Sequence, residues 1–198
     1  LIANGDPYSL PLLELDPATA TALITPAATF THSQLFDRVI QHTVWHGSRL
    51  RRGDERTLTS IPDHPIDGFL FAFWNGALSI LVPTHDANQI VSACKGYHPT
   101  IFTASPALYG AILRHPEVRQ CGLNRVKSLH SHGAPLSPEI AEAVEQLAGM
   151  PVRPTDGLAF HTPLLSPRPA SALGIPLPAT DCRIDDDGFL WIQGPQVP

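Results

Sequence analysis

Between Ala20 and Leu147 this chain repeats one alternation: a short β-branched or apolar run, a break, then apolar residues at three- and four-residue spacing. Strands alternating with helices predict a parallel sheet covered on both faces, because each parallel connection must cross back over the sheet. Ala20 to Thr25, halted by Pro26, reads as a buried strand. Thr31 then opens a helix with a stripe of Leu35, Val39, Ile40 and Val44 that ends near Gly47. Arg56 to Ile61 returns to strand character, Phe69 to Trp74 reads as helix, and Ala77 to Val82 is a β-rich run stopped by Pro83. Asp86 begins a helix with Ile90, Val91 and Cys94 on one side. Thr100 to Thr103 is the next strand, and Leu108, Tyr109, Ile112 and Leu113 mark the helix after it. Val126 to Ser131 is a further strand. Ser137 is an N-cap with Pro138 at the first helical position and Glu139 in the first turn, while Ile140, Val144 and Leu147 carry the stripe.

After Gly149 the character changes. Pro151 to Pro178 is rich in Pro, Ser and small residues, and Cys182 to Ile192 reads as two strands around an Asp-Gly turn. The expected fold is α/β, a doubly wound, mainly parallel sheet with a small C-terminal β appendage. A boundary near Pro167 divides residues 1–166 from the appendage at 167–198.

Composition narrows the function classes. With 43% hydrophobic residues in 198, the chain can bury a sizeable core. A net charge of −5 without runs of like charge argues against a nucleic-acid footprint or an anionic membrane surface. No window approaches the roughly 18 apolar residues of a membrane span, and the N-terminus has no basic segment leading into an apolar one. Cys94, Cys121 and Cys182 are odd in number and lack metal-ligand spacing, so a reducing cytoplasm is expected rather than a disulfide framework. Trp45, Trp74 and Trp191 fall on stripes or strands, where core or interface packing accounts for them.

The motifs lie in a telling order. Thr31-His32-Ser33-Gln34-Leu35 comes first, then Ile61-Pro62-Asp63-His64 with Gly68, then Pro99-Thr100 followed by Pro106-Ala107-Leu108-Tyr109. His132-Gly133-Ala134-Pro135-Leu136-Ser137 leads into a helix, and Asp156-Gly157-Leu158-Ala159-Phe160 follows. Leu173-Gly174-Ile175-Pro176 and Gly188 to Val197 close the series. Over Ala18 to Val197 this order resembles the adenylate-forming superfamily of acyl-CoA synthetases, fatty-acyl-AMP ligases and adenylation domains. It corresponds to the second half of that family's large N-terminal domain.

The resemblance implies an ATP-dependent acyl-activating fold, with AMP or ATP as the cofactor it would take, and the departures bear on that chemistry. The family places a Gly/Ser/Thr-rich loop with a Lys before the T-H motif, where backbone N–H groups wrap the triphosphate. Here only Pro26-Ala27-Ala28-Thr29-Phe30 stands there. The family's Y-G-x-T-E, whose Thr contacts phosphate and whose Glu helps hold magnesium, has become Asp156-Gly157-Leu158-Ala159-Phe160. Each lost stabilising group costs on the order of 3 kcal/mol at such a transition state. The ribose-binding Asp motif and the small domain with its Lys would lie beyond Pro198. The expectation is a relative that no longer makes acyl-adenylates and acts as a binding or assembly subunit, with a protein partner or a second copy covering surface. The alternatives are an acyl- or aryl-activating ligase completed by a partner chain, and a non-catalytic acyl or nucleotide sensor.

The candidate site follows residue by residue. Gly133, Ala134 and Pro135 match the backbone that stacks against adenine in the family, and they also suit an ordinary strand-to-helix turn. Asp156 and Gly157 join them on the nucleotide side. Asp63, His64, Gly68 and His132 outline the acyl pocket, Asp63 and His64 reading either as an acid–base pair or as a solvated loop. His130 and His132, two apart on a strand and read as partly exposed, face one side and with Asp156 or His161 have the residue types of a metal site. No metal and no catalytic residue is assigned. Ser105 sits in a helix-start motif rather than a G-x-S-x-G elbow.

Overall fold

The computed structural model describes residues 14–24, 28–47, 50–60, 65–154, 160–161 and 175–197. β1 (Thr21–Ile24) and β2 (Thr29–Thr31) pair antiparallel, with Ile24 opposite Thr29 at the closed end. Thr31 then caps α1 (His32–His46): Gln34 N–H donates to Thr31 Oγ1 and Thr31 N–H donates to Gln34 Oε1, which satisfies two N–H groups that a helix start leaves bare. Gly47, at φ +53°, ends it.

The sheet follows in five parallel strands: β3 (Arg56–Ser60), β4 (Leu78–Val82), β5 (Ile101–Ala104), β6 (Ser128–Ser131) and β7 (Val152–Pro154), in the order β4-β3-β5-β6-β7. Crossovers run through α2 (Pro65–Trp74), α3 (Ala87–Tyr97), α4 (Pro106–Leu113) and α5 (Pro138–Ala148). Asp86, Ser105 and Ser137 each accept a backbone N–H at the start of a helix, α3, α4 and α5 respectively. Chain direction reverses between β3 and β5: the first crossover steps outward to β4, and the later ones step the other way to β7. That reversal is the switch point at whose carboxyl ends such sheets bind ligands.

The two faces differ in chemistry. Leu58, Ile80, Val82, Phe102, Ala104, Leu129 and Val152 point to one side and join Ile90, Cys94, Leu108, Tyr109, Ile112 and Val144 of α3, α4 and α5 in the hydrophobic core. Burying each large side chain there contributes roughly 2–3 kcal/mol. The alternate positions, Thr57 and Thr59 of β3, Thr103 of β5, Ser128 and His130 of β6 and Arg153 of β7, form the other face, which α1 and α2 cover.

The structure departs from the sequence reading at α1 and β1, and it leaves only the interface reading for Trp191. The buried side of α1 is Arg38, Val39, Gln41 and His46, while Val44 is 57% exposed, because Gln41 reaches Pro178 and Gln196, Arg38 lies over the Phe30 ring and His46 meets His130. β1 is only half-buried and pairs with β2 outside the parallel sheet, since its short apolar run suits a hairpin as well as a core strand. Trp191 is 59% exposed and its indole N–H donates to Asp185 Oδ2 at 2.7 Å, so it lies outside the core.

Beyond β7, β8 (Phe160–His161) pairs with β9 (Ile175–Pro176), and β10 (Asp181–Ile184) with β11 (Leu190–Gln193) around Asp187 and Gly188. Gln41 on α1 anchors this end: its Nε2 donates to Pro178 O and to the Oε1 of the fully buried Gln196. Among the described residues no helix is long and apolar enough to cross a membrane.

Candidate functional site

β6 delivers its chain end into a turn that leads directly to α5. His132 N–H still donates to Ala104 O, extending the β5–β6 ladder by one residue before Gly133 turns away at φ +84°. Only glycine adopts that conformation without strain, and no atom stands within 4 Å of where a Cβ would be. Gly133, Ala134 and Pro135 are exposed, whereas Leu136 tucks into the core and Ser137 caps α5. The turn therefore presents a short, solvent-facing stretch of backbone at the carboxyl edge of the sheet.

Gly68 occupies a different place. It sits on α2 where the helix meets β3, and a Cβ there would stand 2.7 Å from Thr59 Oγ1. Its smallness lets α2 approach the sheet. Thr59 lies opposite Thr103, Thr103 opposite His130 and His130 opposite Arg153, a row of polar residues running across four strands from the foot of α2 toward β7.

His130 and His132 are buried, 4% and 8% exposed, which corrects the expectation of a partly exposed pair. The carboxyl half of α1 covers them: the His46 and His130 rings meet edge to face with centroids 5.3 Å apart. Ser128 Oγ and His130 Nε2 share a hydrogen bond of 2.7 Å, and Tyr109 Oη donates to His130 O at 2.9 Å. Burial, followed by the nearby His46, His42, Arg153 and His132, holds the His130 pKa well below its ordinary value, so the ring is neutral at physiological pH. Among the described residues no group of three His, Cys, Asp or Glu is placed to hold a metal ion.

The resemblance assigns the triphosphate and magnesium contacts to two segments, and the residues in neither of them fit that group. β1 and β2 are linked by four residues, Thr25, Pro26, Ala27 and Ala28, which carry no glycine, no cation and one missing N–H. At the position that the resemblance assigns to the family's metal carboxylate the sequence has Phe160.

The structure thus brings His132, Gly133, Ala134 and Pro135 together on one turn and places Gly68 apart, against β3. Asp63, His64, Asp156, Gly157 and Ala159 lie outside the described residues. Sequence reading missed the Thr59–Thr103–His130–Arg153 row and the α1 side chains over it. Its signal was the alternation of polar with apolar residues in T-L-T and S-L-H, whose shared face emerges only once the strands are in register.

A protein-family model described as "AMP-binding enzyme" matches residues 19–197. The long-chain-fatty-acid–CoA ligase of Yersinia pestis is 25% identical over 89% of this chain and 35% of its own length. That of Bacillus subtilis is 26% identical over 84% and 33%. The chain spans about a third of the length of these relatives. Among solved structures, apo MatB from Rhodopseudomonas palustris superimposes with a TM-score of 0.73 at 17% identity, over 86% of this chain and 37% of that one. The anthranilate CoA ligase AuaEII, in complex with anthranoyl-AMP, gives 0.68 at 20% identity, over 81% and 33%. These two share its fold. With the motif order, the parallel sheet and a family match over most of its length, this chain belongs to the AMP-binding enzyme family.

Proposed function

We propose that this chain is a non-adenylating member of the family that works as a binding or assembly subunit. The observation that carries the reading is the four-residue link between β1 and β2. A triphosphate carries about four negative charges, and holding it takes several converging N–H donors and a cation. Thr25-Pro26-Ala27-Ala28 supplies neither, and Phe160 removes the carboxylate that would share the metal.

A second reading is favoured by the β6–α5 turn. Open space over Gly133 and the exposed Ala134 and Pro135 leave room for an adenine or an acyl-adenylate without turnover, the behaviour of a sensor. The ligase activity in the names of the Yersinia pestis and Bacillus subtilis relatives remains the third reading, with the missing phosphate-binding groups lent by another chain.

Calorimetric titration with ATP and magnesium, AMP, and a non-hydrolysable acyl-AMP analogue separates the three. The expected result is no magnesium-dependent heat with ATP from protein whose circular dichroism is native. Saturable binding of AMP or the acyl analogue alone would favour the sensor. Magnesium-dependent ATP binding would overturn the proposal and support a ligase.

A further inference from the structure

We propose that the free edge of β4 and the adjoining face of α2 form a two-fold interface between two copies of this chain. It stands apart from the nucleotide reading, since it uses the sheet edge and not the carboxyl ends of the strands.

The backbone sets the geometry. Leu78 N–H donates to Glu55 O, so in a parallel ladder Leu78, Ile80 and Val82 direct their N–H and C=O groups toward β3. Ser79 and Leu81 direct theirs outward, and among the described residues no strand takes them. Edges of this kind are normally blunted by lysine, proline, a bulge or an inward charge. Leu78-Ser79-Ile80-Leu81-Val82 contains none of these.

The register is self-complementary. Antiparallel pairing about a two-fold axis through Ile80 sets Ser79 opposite Leu81 of the partner subunit and Leu81 opposite Ser79 of the partner subunit, in both cases residues whose polar groups face out. Each such pair exchanges two hydrogen bonds. An axis perpendicular to the sheet also leaves both α2 helices on the same face. There Phe69 and Phe73, stacked with ring centroids 6.5 Å apart, are 47% and 77% exposed. Trp74, 41% exposed, packs edge-on against Phe36 of α1; on β4 itself Leu81, 40% exposed, is on the α2 face and Leu78, 51% exposed, on the opposite one.

Exposed area from Phe69, Phe73, Trp74, Leu78 and Leu81 comes to on the order of 500 Å², against about 800 Å² per partner in a standard interface. Paired strand backbone adds to that. The second apolar surface, Ile184, Phe189 and Trp191 on the β10–β11 hairpin, belongs to a different sheet and serves as a control.

Sedimentation equilibrium of the 21.4 kDa chain from about 1 to 100 μM tests the proposal. A dimer is expected. Leu81→Pro, which removes an outward N–H while leaving the β3 ladder intact, and Phe73→Glu should each raise its dissociation constant at least about 10-fold. Trp191→Ala should leave it unchanged. Should the proline variant unfold, Leu81→Lys tests the same edge through a side chain already at the surface. A monomer across the whole range overturns the proposal, as does a dimer insensitive to Phe73→Glu and to the Leu81 change, or one broken by Trp191→Ala.

Discussion

At the foot of β3 a single carboxylate gathers the surrounding loops. Glu55, 1% exposed, takes hydrogen bonds from Lys127 Nζ at 2.7 Å, Thr100 Oγ1 at 2.5 Å and the Arg51 N–H at 3.0 Å. Burial pushes its pKa up, but the hydrogen bonds from Lys127, Thr100 and Arg51 outweigh it and hold the carboxyl below its ordinary value. A carboxyl whose folded pKa lies below its unfolded one stabilises fully above the unfolded value and loses that contribution as pH falls through the folded one. Glu55→Gln should therefore cost about 2 kcal/mol in urea unfolding at pH 7, with the gap to the wild type closing below about pH 4. Gly68 gives a steric counterpart. Gly68→Val should cost about 2 kcal/mol by forcing α2 off Thr59, and Thr59→Ala in the same chain should restore part of the loss. Strict additivity of the two changes would place the clash elsewhere.

Among the elements, α1 rests on a histidine that must stay neutral. His130 is held well below its ordinary pKa, first by burial and then by His46, His42, Arg153 and His132. Below about pH 6.5 the unfolded chain thus binds more protons than the folded one, so stability falls on acidification, by up to about 1.4 kcal/mol per pH unit for this one histidine. Urea midpoints followed by Trp45 fluorescence should drop between pH 7 and pH 5, and His130→Asn should flatten that slope. An unaltered slope would assign the titration to another group. The same helix marks where sequence reading reached its limit. Its cap at Thr31 and end at Gly47 were legible because capping is local chemistry, as were β3, β4, β5 and β6 from their short strand-like runs. Its buried side was not, because apolar spacing presumes an apolar floor and this floor is threonine, serine, histidine and arginine. Gly133 was legible as a turn. The contact of Gly68 with Thr59 was not, since 68 and 59 meet only when α2 folds back over β3.

For the molecule as a whole, the two ends of the described chain are tied by glutamines. Gln34 Nε2 donates to Val197 O, and Gln41 Nε2 to Pro178 O and Gln196 Oε1, across more than 130 residues of sequence. Gln196 is fully buried, so Gln41→Ala would take a buried donor from its amide oxygen at a cost of about 1–2 kcal/mol. Hydrogen exchange should then quicken over residues 177–197 while β5 and β6 keep their protection. Equal quickening in the central strands would mean that the tail and the sheet unfold as one unit.

The β1–β2 hairpin offers a final prospect, for the protein engineer. Because it pairs outside the parallel sheet and its strands are half-exposed, the link between Ile24 and Thr29 is a point of insertion rather than a keystone. Lengthening it from four residues to about twelve costs only about 1 kcal/mol of closure entropy. A glycine-rich, lysine-bearing graft there, joined with a carboxylate at position 160, would ask whether magnesium-dependent ATP binding can be installed piecemeal on a scaffold left otherwise untouched.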